Sequence, residues 1–98
     1  LLSVGFNCAL GAEQMREYIG QLASVATTYV SCYPNAGLPN EFGEYDDTPQ
    51  GMANIIGDWC AQGWVNVVGG CCGTTPEHIR AIAETCTKFS PRPLPVIA

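Results

Sequence analysis

The stretch WVNVVGGCCGTTPEHI, residues 64–79, decides how this chain is read. Its first half, WVNVVGG, is a short apolar run of the kind that forms a strand buried on both faces, the habit of parallel sheets flanked by helices. Its second half opens a helix: Thr75 supplies an N-cap oxygen and Pro76 sits where a helix tolerates a missing N–H. The apolar stripe that follows is Ile79, Ile82, Ala83 and Cys86. Between strand and helix stand two adjacent cysteines, Cys71 and Cys72, set among Gly69, Gly70 and Gly73.

Working outward, the same strand-then-helix grammar occurs twice more. In SVGFNC, residues 3–8, Val4, Phe6 and Cys8 alternate with Ser3, Gly5 and Asn7 in the period of a strand, which Cys8 is expected to end. GAEQMREYIGQLASVA, residues 11–26, then repeats apolar side chains at helical spacing: Met15, Tyr18, Ile19, Leu22 and Ala26. The second unit begins with TTYVSCYP, residues 27–34, a β-branched and aromatic run that Pro34 is expected to close. A loop rich in Gly, Asn, Pro and acid, NAGLPNEFGEYDD, leads to a helix capped by Thr48 and opened by Pro49. Met52, Ile55, Ile56, Trp59 and Cys60 form its apolar stripe, and Gly63 is its stop.

Alternating strands and helices imply a parallel sheet, hence a Rossmann-like layer or part of a (β/α)8 barrel. The units begin near residues 3, 28 and 65, and their spacing of about 31 residues matches one eighth of a roughly 250-residue barrel. The expected fold is α/β: the last three βα units of a (β/α)8 TIM barrel, with parallel strands inside and helices outside. Residues 1–90 are assigned to this barrel portion. The closing run SPRPLPVIA holds three prolines in five residues, so residues 91–98 are expected to be an extended linker to a following domain.

Composition removes several function classes. The 98 residues carry a formal net charge of -5 and only 13% charged side chains, which offers nucleic acid little attraction. No apolar run approaches the roughly 18 residues of a membrane span, and the first residues lack the layout of a secretion signal. A soluble, cytoplasmic location is expected. Six cysteines, at 8, 32, 60, 71, 72 and 86, raise the alternative of a disulfide-stapled secreted domain. Such scaffolds lack a core, whereas this chain is 47% hydrophobic and periodic throughout.

In parallel α/β folds, the loops that leave the strands all lie on one side of the sheet. Cys8, Asn35, Cys71 and Cys72 all fall there. Three thiols and a carboxamide at one rim suit a tetrahedral site for Zn2+ that keeps one exchangeable position. Neighbouring residues of a straight strand point to opposite faces, so Cys71 and Cys72 need a turning backbone, which the glycines permit. The alternative for the doublet is compact core packing. Core packing is also the reading for Cys32, Cys60 and Cys86. His78 reads as a surface or capping residue, with a catalytic role as the alternative. The acids Glu41, Glu44, Asp46 and Asp47 read as a solvated loop face, or as a cover over the thiol rim.

The segments NCALG (7–11), YPNAGLPN (33–40) and GGCCGTTPEHI (69–79) resemble the homocysteine S-methyltransferase family, and specifically the homocysteine-binding barrel of its cobalamin-dependent members. The resemblance covers nearly the whole chain, in order. It implies that Cys8, Cys71 and Cys72 bind one catalytic Zn2+, that homocysteine enters the fourth position through its sulfur, and that the Asn35 oxygen fills that position in the substrate-free state. It also implies methionine as product, with methylcobalamin as donor, recharged from methyltetrahydrofolate by cobalamin-carrying and folate-binding domains of the same polypeptide. Alternatives are an S-methylmethionine- or betaine-dependent homocysteine methyltransferase and, from another class, a structural zinc or noncatalytic interaction domain. The groups that hold the amine and carboxylate of homocysteine, and any catalytic residue beyond the zinc ligands, are not assigned.

Overall fold

The computed structural model describes residues 2–37, 41–43, 45 and 47–94, with the backbone alone at residues 8 and 9. Within it the chain runs β1 (Ser3–Gly11), α1 (Ala12–Val25), β2 (Tyr29–Asn35), α2 (Pro49–Gln62), β3 (Val67–Val68) and α3 (Pro76–Cys86). The strands form one parallel sheet in the order β1-β2-β3, so each crossover helix joins adjacent strands.

The side on which those helices lie distinguishes a barrel segment from a doubly wound layer. Met15 and Ile19 of α1, Met52, Ile56 and Trp59 of α2, and Ile82 of α3 share one core with Val30 and Cys32 of β2. Along β2, Val30, Cys32 and Pro34 are buried while Tyr29, Ser31 and Tyr33 are more open. All three helices therefore cover the same face of the sheet, as in a barrel wall, where helices form only the outer ring. The core thiol Cys32 packs its sulfur 3.7 Å from that of Met15, and burial pushes its pKa up to about 12. Outside the core, Arg16 of α1 pairs with Asp58 of α2 at 2.7 Å and lies over the Trp64 ring.

The helix ends follow their sequence signals. The Thr48 hydroxyl accepts the Gly51 N–H at 3.0 Å above Pro49, and Gly63 closes α2 in the left-handed region at φ +74°. Thr75 caps α3 above Pro76.

Four expectations are corrected. The first strand does not end at Cys8 but continues to Gly11, because its register slips between Asn7, opposite Tyr33, and Gly11, opposite Asn35. Two additional residues of β1 are absorbed there, which is a bulge. Pro34 does not end the second strand, because it falls opposite that bulge, where its missing N–H interrupts no regular pair. The third strand is not buried on both faces: Val68, aligned with the buried Cys32, packs on the core, but Val67 is 47% exposed on the face no helix covers. Tyr18 and Ile79 leave the buried stripes for the surface, at 49% and 46% exposure; Tyr18 meets Phe6 edge to face instead.

The segment after α3 is docked at its start. Arg92 is 5% exposed, and its guanidinium donates to the carbonyls of Ala23, Ala26 and Thr28 at 2.8–3.0 Å. Its backbone N–H reaches the Val65 carbonyl, and Asn66 joins the Arg92 carbonyl to the Val30 N–H. A cation thus closes the carbonyl end of α1, where the helix dipole favours positive charge. Residues 95–98 of the expected linker lie outside the described residues.

Candidate functional site

The C-terminal ends of β2 and β3 meet through backbone pairing that continues past the strands. Gly69 N–H donates to the Cys32 carbonyl at 3.3 Å, and Cys71 N–H to the Pro34 carbonyl at 2.9 Å. The next link comes from a side chain: Cys72 N–H donates to Asn35 Oδ1 at 3.1 Å. The Cys72 carbonyl then accepts the Ala36 N–H at 2.9 Å. Asn35 is only 4% exposed, so its carboxamide is a fixed part of the wall rather than a mobile surface group. These four bonds seat the cysteine doublet on the rim beside Asn35.

The doublet itself turns. Thr74 N–H returns to the Cys71 carbonyl at 3.2 Å, closing a tight turn with Gly73 at φ +79°. Any side chain at position 73 would meet the Cβ and Cγ of Tyr45, so glycine is required by both backbone and neighbour. Of the three glycines expected to free this turn, only Gly73 uses the left-handed region. Cys71 ends half-buried and Cys72 exposed.

Of the four residues expected to gather here, the structure brings Asn35, Cys71 and Cys72 together. Cys8 lies in β1 at the register slip, between the pairs that align Asn7 with Tyr33 and Gly11 with Asn35; its side chain is outside the described residues. Its backbone therefore sits one strand over from Asn35. Among the described residues, no three His, Cys, Asp or Glu side chains form a metal-binding group.

His78 is a capping residue, and it is buried at 6% exposure. Its Nδ1 accepts the Thr75 N–H at 3.2 Å, while its own N–H donates to the Thr75 hydroxyl at 3.4 Å. The ring takes the place of the usual Glu or Gln of a capping box. Its other nitrogen, Nε2, donates to the Asp47 carbonyl at 2.7 Å, and the Asp47 N–H donates to the Ala36 carbonyl at 3.0 Å. Sequence reasoning missed this link from α3 to the loop after β2; a histidine three residues beyond a capping threonine was its only sign. Through Asp47 and Tyr45 the loop leaves Asn35 and comes back against the cysteine turn. Glu41 is exposed, whereas Glu44 and Asp46 lie outside the described residues.

These features meet in one comparison: residues 1–86 match the family model for homocysteine S-methyltransferase. The chain belongs to that family. Membership gives the parallel strands and outer helices their setting in a TIM barrel, and it makes methyl transfer to homocysteine the general chemistry of the domain. The family match runs through all of the β-strand rim and ends with α3. No helix among the described residues is long and apolar enough to cross a membrane.

Proposed function

We propose that this chain is the homocysteine-activating part of a zinc-dependent methyltransferase, with Cys8, Cys71 and Cys72 as metal ligands and Asn35 as the fourth in the substrate-free state. The observation that carries the reading is the seating of Cys72 against the buried Asn35 oxygen, with Cys71 held on the Pro34 carbonyl, at the strand ends. The donor set fits the ion, since thiolates with one exchangeable oxygen ligand suit catalytic rather than structural zinc. A second observation agrees: the Thr74 hydroxyl in the same turn is buried without a partner among the described residues, as happens next to a site completed by a bound group.

Zinc, when bound, supplies the charge that converts the homocysteine thiol to a thiolate at neutral pH. The chain's own residues fix where that happens. Asn35 and Pro34 hold the two cysteine amides, Gly73 turns the chain between strand and helix, and the His78–Asp47 bond keeps the covering loop beside the turn. Cys8, Cys71 and Cys72 as thiolates would hold the dication in an electron-rich site, which would leave a homocysteine sulfur nucleophilic.

The reading extends to methylcobalamin as donor, recharged from methyltetrahydrofolate on other domains of a cytoplasmic polypeptide, with methionine as product. Residues 1–90 are then the C-terminal portion of the homocysteine-binding barrel, and 91–98 lead toward the next domain. The supporting features are YPNAGLPN and the tail that follows α3.

Zinc content and homocysteine methylation of the intact protein, with methylcobalamin, S-methylmethionine and betaine in parallel, test both metal and donor. Cys8→Ala and Cys72→Ala should each abolish zinc retention and transfer. Retained zinc and full activity in Cys8→Ala overturns the ligand set, and turnover only with a sulfonium or betaine donor overturns the cobalamin assignment. X-ray absorption should show an oxygen or nitrogen neighbour replaced by sulfur when homocysteine is added; an unchanged shell refutes the exchangeable position.

A further inference from the structure

Cys60 and Cys86 take no part in the rim site, yet the fold brings their sulfurs to 3.5 Å. The approach has a structural cause. Gly57 of α2 faces Thr85 of α3 so closely that a Cβ on Gly57 would stand 2.7 Å from the threonine methyl. Absence of a side chain there lets the helices close, and Cys60, one turn further along α2, then meets Cys86, the residue after Thr85. Both thiols are half-buried and line a cavity of about 130 Å3 together with Val65, Val68 and Phe89. That space exceeds the 10–15 Å3 or so that one water needs, so a small oxidant can reach the sulfurs.

We propose that Cys60 and Cys86 form a reversible disulfide, made by a hydroperoxide, that staples α2 to α3. A disulfide requires about 2.05 Å between sulfurs, so the pair must close by roughly 1.5 Å, within the reach of side-chain torsions. Burial, then the hydrogen bond and the charge of Cys86, push the Cys60 pKa up to about 12, and the first attack is assigned to Cys86. The Cys86 sulfur takes the terminal oxygen of the hydroperoxide; the O–O bond breaks and an alcohol, or water from hydrogen peroxide, leaves. Cys60 then attacks the Cys86 sulfenic acid, its thiol proton leaving with the hydroxyl as water while the S–S bond forms. Two thiols lose two electrons and the peroxide gains them. A dithiol restores the pair by exchange. The closed loop contains Cys71 and Cys72, so the staple joins the helix before the rim turn to the helix after it.

The intact protein, treated with a small excess of hydrogen peroxide, alkylated, digested and mapped by mass spectrometry, should yield a linked peptide joining residues 60 and 86, lighter by two hydrogens and lost on dithiothreitol treatment. In Cys60→Ser the linked peptide should vanish and a sulfenic acid should be trapped by dimedone at Cys86. Recovery of both residues fully alkylated, or crosslinks that use Cys71 or Cys72 while Cys60 and Cys86 stay reduced, overturns the proposal. A dimedone adduct at no position in Cys60→Ser overturns the sulfenic acid step.

Discussion

Replacing Asn35 by alanine tests whether one buried carboxamide seats the cysteine turn. The side chain is 4% exposed, and its Oδ1 accepts the Cys72 N–H at 3.1 Å, so alanine removes an acceptor and leaves a small void. A neutral hydrogen bond contributes about 1 kcal/mol net, and because Cys72 is exposed, water can reach the freed N–H and keep the loss near that value. The void adds about 1 kcal/mol more. Together, about 2 kcal/mol of local stability corresponds to a roughly 30-fold larger open population. Amide hydrogen exchange, read by mass spectrometry over residues 69–75 of the intact protein, should therefore accelerate about 30-fold. Asn35→Asp keeps an acceptor oxygen and most of the volume, so exchange there should return toward the parent rate. An Asn35→Ala change of less than about 3-fold, near 0.6 kcal/mol, would refute the idea that this bond holds the turn.

Two further outcomes follow from groups away from the rim. Arg92→Ala deletes three bonds from a charged, buried donor to the carbonyls of Ala23, Ala26 and Thr28; with each worth about 1.5–3 kcal/mol and the three not additive, a loss of about 3–4 kcal/mol in urea unfolding is expected. Arg92→Lys, which cannot fork to three acceptors, should recover only part of it, and an alanine variant within about 0.5 kcal/mol of the parent contradicts the clamp. Cys32, pushed up to about 12 by burial, keeps its proton in the folded chain while an unfolded thiol near 9 loses it. The folded state then holds more protons between those values, so stability is unaffected below about pH 9 and falls by about 1.4 kcal/mol per pH unit up to about 12. In Cys32→Ala, stability against pH should lose that component of its slope despite weaker packing at neutral pH; an unchanged slope refutes it.

Local chemistry in this chain is legible one residue at a time. Thr48-Pro49 and Thr75-Pro76 mark helix starts because capping and proline geometry act within a single turn. Gly63 marks an end for the same reason. That Asn35, Cys71 and Cys72 share a rim was legible because parallel topology fixes which loops share a side, whatever their separation in sequence. What the sequence did not display depends on pairs. The slip that carries β1 past Cys8 belongs to the register between two strands, and the exposure of Val67 depends on which face lacks a helix. Arg92 gave a sign without a partner: it is a lone cation in a proline-rich tail, but its acceptors lie at the far end of α1. The same holds for Cys60 and Cys86, each reading as core packing alone, whose proximity follows from a glycine three residues before one of them.

The uncovered face of the sheet bears on how the rim site is built. Gly5 of β1, Ser31 of β2 and Val67 of β3 align across the three strands on the side away from the helices. Gly5 is forced there, because a side chain would collide with the Ser31 carbonyl. A row of small and modest side chains on the inner face suits a curved wall, since inward-pointing groups crowd as strands close around a common axis. Helices press on the outer face through Val30, Cys32 and Pro34, and both faces are thus settled before the strands reach their C-terminal ends. The rim residues inherit that rigidity: Asn35 is the last residue of β2, and the cysteine turn hangs from β2 by backbone bonds to Cys32 and Pro34. The cysteine turn needs such a frame, because the two-residue β3 fixes little by itself. Central β2, packed on one face and paired on both edges, therefore sets the position of the cysteine turn that follows β3.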